Sequence, residues 1–128
     1  MEGNILKGKK ILIVEDDFSS KLYLNKILEK SGAVLFNAGD GKEALDLVME
    51  NSDIEIILMD IQLPVLDGYA CTKILRESGN NMVIIAQTAY GLNADKERMM
   101  SAGFNDYLIK PISQNQLIDK ISFHLLHN

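Results

Sequence analysis

The sequence predicts an α/β fold, a doubly wound (βα)5 domain with a parallel five-stranded sheet in the order 2-1-3-4-5. Three observations predict it. Five short runs rich in β-branched and aliphatic residues alternate with stretches of helical spacing, and such alternation implies parallel strands covered by helices on both faces through right-handed crossovers. The first, third and fourth runs are nearly all apolar, as strands buried on both faces should be. The 128 residues, 47% hydrophobic and 24% charged, suit one ordinary globular core. Of the two common doubly wound orders, 2-1-3-4-5 is the one expected for five strands of this size.

Residues 1–8 read as a flexible N-terminal tail and residues 9–126 as the folded domain. The first strand spans 10–14 (KILIV). In the helical stretch after it, Leu22, Leu24, Ile27 and Leu28 fall on one side, while Lys21, Lys26, Glu29 and Lys30 face water. Ser31-Gly32 ends that helix. The second strand is placed at 33–37 and its helix at 41–50, the third strand at 55–59 and its helix at 67–77. The fourth strand at 82–87 leads to a helix at 93–102, and the fifth at 106–109 to a helix at 113–126. Asn93 and Ser113 are the expected N-caps of the last two helices, and Ile118, Ile121 and Leu125 give the final one its apolar spacing. There is no internal repeat, linker or low-complexity tract.

The net charge of −5 argues against a nucleic-acid-binding surface, which needs clustered Lys and Arg to neutralise phosphates. No apolar run approaches the ~20 residues that span a bilayer, and the start MEGNILKGKK lacks the apolar stretch of a secretory signal. The expected location is the cytoplasm, without membrane insertion. Cys71 is the only cysteine. No internal disulfide is possible, which suits a reducing compartment, and the thiol is expected to be a plain helix residue rather than a reactive one.

In an open α/β sheet the ligand site lies beyond the carboxyl ends of the strands, at the switch point between the first and third. The first strand ends in Val14 and is followed by Glu15, Asp16 and Asp17; the third ends in Met59 and is followed by Asp60. The fourth runs into Thr88, and the fifth into Lys110-Pro111. Carboxylates gathered at one edge repel, and one of them would have to hold a proton. A hard cation removes the conflict, and Mg²⁺ (or Mn²⁺) suits an all-oxygen site that also accepts phosphate oxygens. Lys110 adds a charge able to pair with a carboxylate or a phosphoryl group, and Thr88 a hydroxyl able to donate to one. Asp60 is then placed to become an acyl phosphate, with metal and lysine stabilising charge on the transferring group. Each residue alone is ordinary, since an Asp after a strand usually caps a turn. Their joint placement on four strand ends carries the reading.

Four segments, ILIVEDD (11–17), ILMDIQLPVLDGYACTKILRE (57–77), IIAQTAY (84–90) and AGFNDYLIKPI (102–112), resemble the receiver domains of response regulators, especially those attached to hybrid histidine kinases. The similarity runs from about Lys9 onward. It implies a flavodoxin-like fold and a phosphoacceptor domain of a two-component phosphorelay that takes a phosphoryl group from a phosphohistidine and switches conformation. By that resemblance Glu15 and Asp16 are the metal-binding acidic pair, Asp60 the phosphoacceptor, and the backbone carbonyl of Gln62 a further metal ligand. Thr88 is the hydroxyl position, Lys110 its charged partner, and Pro111 follows through a commonly cis peptide. Tyr107 matches the switch aromatic that moves with Thr88. Asp17 is expected to serve the helix N-terminus rather than the metal.

The resemblance implies a histidine kinase or histidine phosphotransfer domain as donor, an output partner or attached domain, and a monomer or phosphorylation-dependent dimer. It implies no catalysis beyond the domain's own phosphorylation and slow dephosphorylation. Gln62 and Tyr90, each two residues past a site residue, are expected to border the path of an attacking water: Tyr90 either obstructs it or points outward as a docking residue, Gln62 either orients the water or fills its place, and slow self-dephosphorylation is expected.

Some features read as decoys. GNILKGKK (3–10) has the spacing of a phosphate loop but precedes a strand and ends in Lys10, where such a loop follows a strand and ends in Ser or Thr. His124 and His127 are expected to belong to an exposed tail rather than a metal site. A haloacid dehalogenase-like phosphatase also forms an aspartyl phosphate beside Mg²⁺, but enzymes of that type carry a second Asp where this chain has Gln62. A flavodoxin-like electron carrier would not bind phosphate with a Glu-Asp-Asp loop. A receiver that has lost its chemistry is disfavoured because none of the acidic, hydroxyl or lysine positions is replaced.

Overall fold

Backbone hydrogen bonding joins the apolar runs into one parallel sheet. In the computed structural model, which describes residues 4–89 and 93–126, β1 (Lys10–Val14) lies between β2 (Val34–Ala38) and β3 (Ile56–Asp60). Beyond β3 come β4 (Val83–Thr88) and β5 (Asp106–Ile109), so the order is the expected 2-1-3-4-5. Val14 pairs with Ala38 and with Met59, Asp60 with Gln87, and Thr88 with Ile109. This register brings the carboxyl ends to one edge.

β2, β3 and β4 each begin and end one residue later than their apolar runs suggest. The ladder does not stop at the last apolar side chain. Ile61 N–H donates to the Gln87 carbonyl at 3.2 Å, and Lys110 N–H to the Thr88 carbonyl at 2.7 Å. Asp60 and Thr88 are therefore the last residues of strands, held by the sheet, and not the first residues of loops.

The crossovers are α1 (Phe18–Lys30), α2 (Gly41–Glu50), α3 (Gly68–Glu77), α4 (Asn93–Ala102) and α5 (Gln114–Leu126). Asp17, Asp40 and Asp67 cap the first three by accepting from the N–H groups of Ser20, Glu43 and Ala70 at 2.8–2.9 Å. Ser113 caps α5 as expected, its Oγ accepting from Gln116 N–H at 3.1 Å. α4 opens at Asn93, whose side chain lies outside the described residues. Gly32, at φ +88°, ends α1 while its N–H donates to the Glu29 carbonyl at 3.1 Å. The Lys110–Pro111 peptide is cis.

Strand alternation sorts the core into two layers. Ile11 and Ile13 of β1, Ile56 and Leu58 of β3, and Val83 and Ile85 of β4 meet α1 and α5 through Leu24, Leu28, Leu117 and Ile121. Leu12, Val14, Ile57, Met59, Ile84 and Ala86 meet the other helices through Ala44, Val48, Cys71, Leu75 and Met99. Leu22 corrects the sequence reading. It is 44% exposed while Leu24, Ile27 and Leu28 are buried, because at 100° per residue Leu22 points about 200° away from Leu24. Residues 4–8 correct it as well. Leu6 is completely buried in the layer with α1, and its N–H donates to the Ser31 carbonyl at 2.9 Å. One apolar side chain thus docks a segment whose polar neighbours read as tail. Among the described residues no helix is long and apolar enough to cross a membrane.

Candidate functional site

The carboxyl edge of the sheet opens into a cavity of about 480 Å³, lined among others by Glu15, Asp16, Asp17, Asp60, Gln62, Thr88 and Lys110. Every described residue predicted from the strand ends is there. Glu15 follows β1, its N–H bound to the Ala38 carbonyl at 3.0 Å, and is buried, as are Asp60 and Thr88. Asp16 is exposed at the mouth.

Lys110 ties the site together. Its Nζ donates to Asp60 Oδ2 at 2.8 Å and to Glu15 Oε1 at 3.1 Å. The remaining carboxylate oxygens are also engaged: Asp60 Oδ1 accepts from Gln62 N–H at 2.9 Å, and Glu15 Oε2 from Asp17 N–H at 3.1 Å. Asp17 turns its own carboxylate to Ser20, and that bond lowers its pKa. It serves the helix, as expected.

The charges are not balanced. Burial, and then the neighbouring Asp60, push Glu15 up to about 7 from its ordinary 4.5. Burial works to lower the Lys110 pKa, but hydrogen bonding and charge from Asp60, then from Glu15, raise it on balance. Carboxylate oxygens of Glu15, Asp16 and Asp60 lie within 4.8 Å of one another. Three carboxylates against one ammonium leave net negative charge in a half-enclosed oxygen cluster. That donor set fits a hard divalent cation.

The rest of the edge was less legible. Gly68 follows the Asp67 cap, and its N–H donates to the Ile61 carbonyl at 3.0 Å. A Cβ there would collide with the Asp60 carbonyl oxygen and stand 2.9 Å from Ile61 Cα. A glycine in the first helical turn is a poor helix former, and that was the available signal. Gly68→Ala is expected to cost about 1–3 kcal/mol by overpacking and to displace the Asp60 main chain. A urea-melt midpoint equal to that of the parent protein would refute this. Gln87, a polar residue in an apolar run, is buried and donates to the Leu58 carbonyl at 3.2 Å. Tyr69 and Arg98 also line the cavity, and nothing in the sequence marked them.

Tyr107 lies half-buried on β5, with Lys96 and Lys120 ammonium groups 5.6 and 5.4 Å from its ring centre. Tyr90 and His127 lie outside the described residues. His124 is not in an exposed tail: its Nε2 stands 2.9 Å from Asp106 Oδ2, beside Lys120 at 3.0 Å from Oδ1. α5 runs along β5, which brings residue 124 over residue 106. Cys71 is buried, its Sγ 3.4 Å from the Gly41 carbonyl, and burial pushes the thiol up to about 12. It is an inert helix residue.

A model of the response regulator receiver domain matches residues 11–122. The chain belongs to the response regulator receiver family. This receiver domain is 35% identical over 130 residues to hybrid signal transduction histidine kinase I of Dictyostelium discoideum, covering 95% of the chain but 8% of that protein. It spans a small part of the curated hybrid kinases it matches. Among solved structures it is similar to the receiver domain of sensor histidine kinase PA1611 from Pseudomonas aeruginosa, described with magnesium coordinated in its active-site cleft. That structure shows 37% identity and a TM-score of 0.83 over 91% of this chain and 97% of that one. It is also similar to the receiver domain of Ssk1 from Saccharomyces cerevisiae, solved with the histidine phosphotransfer protein Ypd1. Here identity is 31% and the TM-score 0.85, over 92% of this chain and 89% of that one. A receiver of a two-component phosphorelay is thus what the chain is, and the phosphatase and electron-carrier readings fall.

Proposed function

We propose that this receiver accepts a phosphoryl group on Asp60 from a phosphohistidine. The observation that carries the assignment is the Lys110 bridge: one ammonium holds Asp60 at 2.8 Å and Glu15 at 3.1 Å on the floor of the cavity. An Asp60 oxygen forms the bond to phosphorus as the phosphorus–nitrogen bond breaks, and the imidazole leaves with the bonding pair. Asp60 loses its negative charge in becoming an acyl phosphate, so Lys110 is freed to follow the phosphoryl oxygens. Glu15, Asp16, Asp60 and the Gln62 carbonyl would hold Mg²⁺ or Mn²⁺, which when bound neutralises charge on the transferring group. Thr88, at the end of β4, donates its hydroxyl to a phosphoryl oxygen.

The similarity to a hybrid kinase and to a receiver solved with a phosphotransfer protein supports a histidine kinase or histidine phosphotransfer domain as donor. Catalysis is confined to the domain's own phosphorylation and dephosphorylation. Gln62, at the cavity wall, borders the approach of water to the phosphoryl group. Movement of Thr88 toward the phosphoryl group changes the face of α4, β5 and α5 through Tyr107, as a bistable element of a few kcal/mol allows. Intact-mass measurement after incubation with acetyl phosphate and Mg²⁺ is expected to show one added phosphoryl group, and amide exchange on the same sample a change around Tyr107. No mass gain would refute the acceptor assignment; a mass gain with unchanged exchange would refute the switch alone.

A further inference from the structure

One wall of the cavity is left unused by the residues assigned so far. Tyr69, in the first turn of α3, and Arg98, in α4, both line it. The Arg98 guanidinium carbon lies 3.9 Å from the centre of the Tyr69 ring. That ring is itself held edge-on by Phe104, with centroids 6.0 Å apart. Stacking fixes the guanidinium plane and leaves its N–H groups, which project in that plane, to bond elsewhere. Glu15, Asp16, Asp17 and Asp60 share the cavity, yet none of the ion pairs among the described residues involves Arg98. An exposed cation that stacks on a ring beside several carboxylates is placed for an anion that arrives later.

We infer that Arg98 is a further phosphoryl-binding residue, its guanidinium carried on the Tyr69 ring to contact oxygens of the group bound at Asp60. The inference rests on Asp60 being the acceptor. A guanidinium fork matches phosphate oxygens in pairs, which an ammonium does not. The transferring group spreads its charge over three oxygens, so Lys110, just past β5, and Arg98 from α4 can stabilise different ones. Arg98 is in none of the ion pairs among the described residues, whereas Lys110 begins the reaction committed to Asp60 and Glu15.

Phosphorylation of the whole chain by acetyl phosphate in saturating Mg²⁺ tests this. In that step an Asp60 oxygen bonds to phosphorus while the bond to acetate breaks, and acetate leaves with the electron pair. Arg98→Ala is expected to lower the rate per unit of acetyl phosphate about tenfold, the size of one lost charged hydrogen bond. Mg²⁺ affinity measured without acetyl phosphate, and the melting temperature, should stay near those of the parent protein. Arg98→Lys, which keeps charge without the fork, should fall between the two. An Arg98→Ala rate equal to the parent's overturns the inference and leaves Asp60 as acceptor. A slower rate with an equal loss of Mg²⁺ affinity or of melting temperature also overturns it, since that marks a structural role. If the parent protein gains no phosphoryl group, the acceptor reading fails and this inference with it.

Discussion

Asp60→Asn is expected to abolish phosphoryl uptake from acetyl phosphate, with no added mass under conditions that fully modify the parent chain. The amide matches the carboxylate in shape. Its single oxygen can still accept one of the two bonds that hold Asp60 in place, from Gln62 N–H at 2.9 Å or from Lys110 at 2.8 Å, while its NH2 group faces the other donor. What it lacks is an anionic nucleophile, and a neutral amide oxygen does not form the acyl phosphate. The loss is therefore expected to be complete rather than graded, while the fold is kept. Removing one carboxylate also relieves Glu15, because Asp60 is among the causes that raise its pKa. The variant should then melt no lower than the parent in the absence of divalent cations. Retained uptake would mean that another residue takes the group, and mapping the modified peptide would show which. The same variant should bind Mg²⁺ more weakly, by about tenfold or more for the loss of one direct anionic ligand, as read by titration calorimetry.

How much of this was legible in the sequence follows from which residues signal themselves. The sheet order, the helix positions and the collected strand ends came from apolar runs and their punctuation, and those patterns are written residue by residue. Asp60, Thr88 and Lys110 could be placed at one edge because topology alone sends strand ends there. Strand limits slipped by one residue at Asp60 and Thr88, since hydrogen bonding continues past the last apolar side chain. Leu6 and Leu22 were misjudged for the same kind of reason. A single Leu in a polar stretch gives no period, and a Leu two residues from the buried stripe is counted with it unless its angle is checked. Arg98 and Tyr69 could not have been found. They meet across α3 and α4, twenty-nine positions apart, and nothing in the local pattern of either helix records the stack. Gly68 lay between these cases, visible as a glycine where a helix begins but explained only by the carbonyl of Asp60 lying against it.

The metal-free domain is expected to lose stability as pH rises from 4.5 to 7, and to recover it on adding Mg²⁺. Glu15 is an ordinary carboxylate of pKa 4.5 when the chain is unfolded and is pushed up to about 7 in the fold, chiefly by burial and then by Asp60. Between those values the native state holds a proton that the unfolded state has released. Stability therefore falls with rising pH across that window. The whole difference is worth about 3 kcal/mol, taking roughly 1.4 kcal/mol per pKa unit. Asp17 and Asp106, whose pKa values are lowered, act the other way. Their contribution is complete above their ordinary value of 3.8 and is lost only as pH falls below it. They leave the window from 4.5 to 7 to Glu15. A divalent cation that took Glu15, Asp16 and Asp60 as ligands, as proposed, would bind the deprotonated cluster, so its stabilisation would grow with pH and add to the native state by mass action. Melts in a chelator at pH 5 and pH 7.5 should show the higher midpoint at pH 5, and saturating Mg²⁺ should narrow or reverse that difference. Glu15→Gln removes the titrating group, so its chelated melts should lose most of the dependence and exceed the parent's midpoint at pH 7.5. A chelated parent protein that melts higher at pH 7.5 than at pH 5, with Glu15→Gln behaving alike, would show that Glu15 carries its charge in the fold without cost.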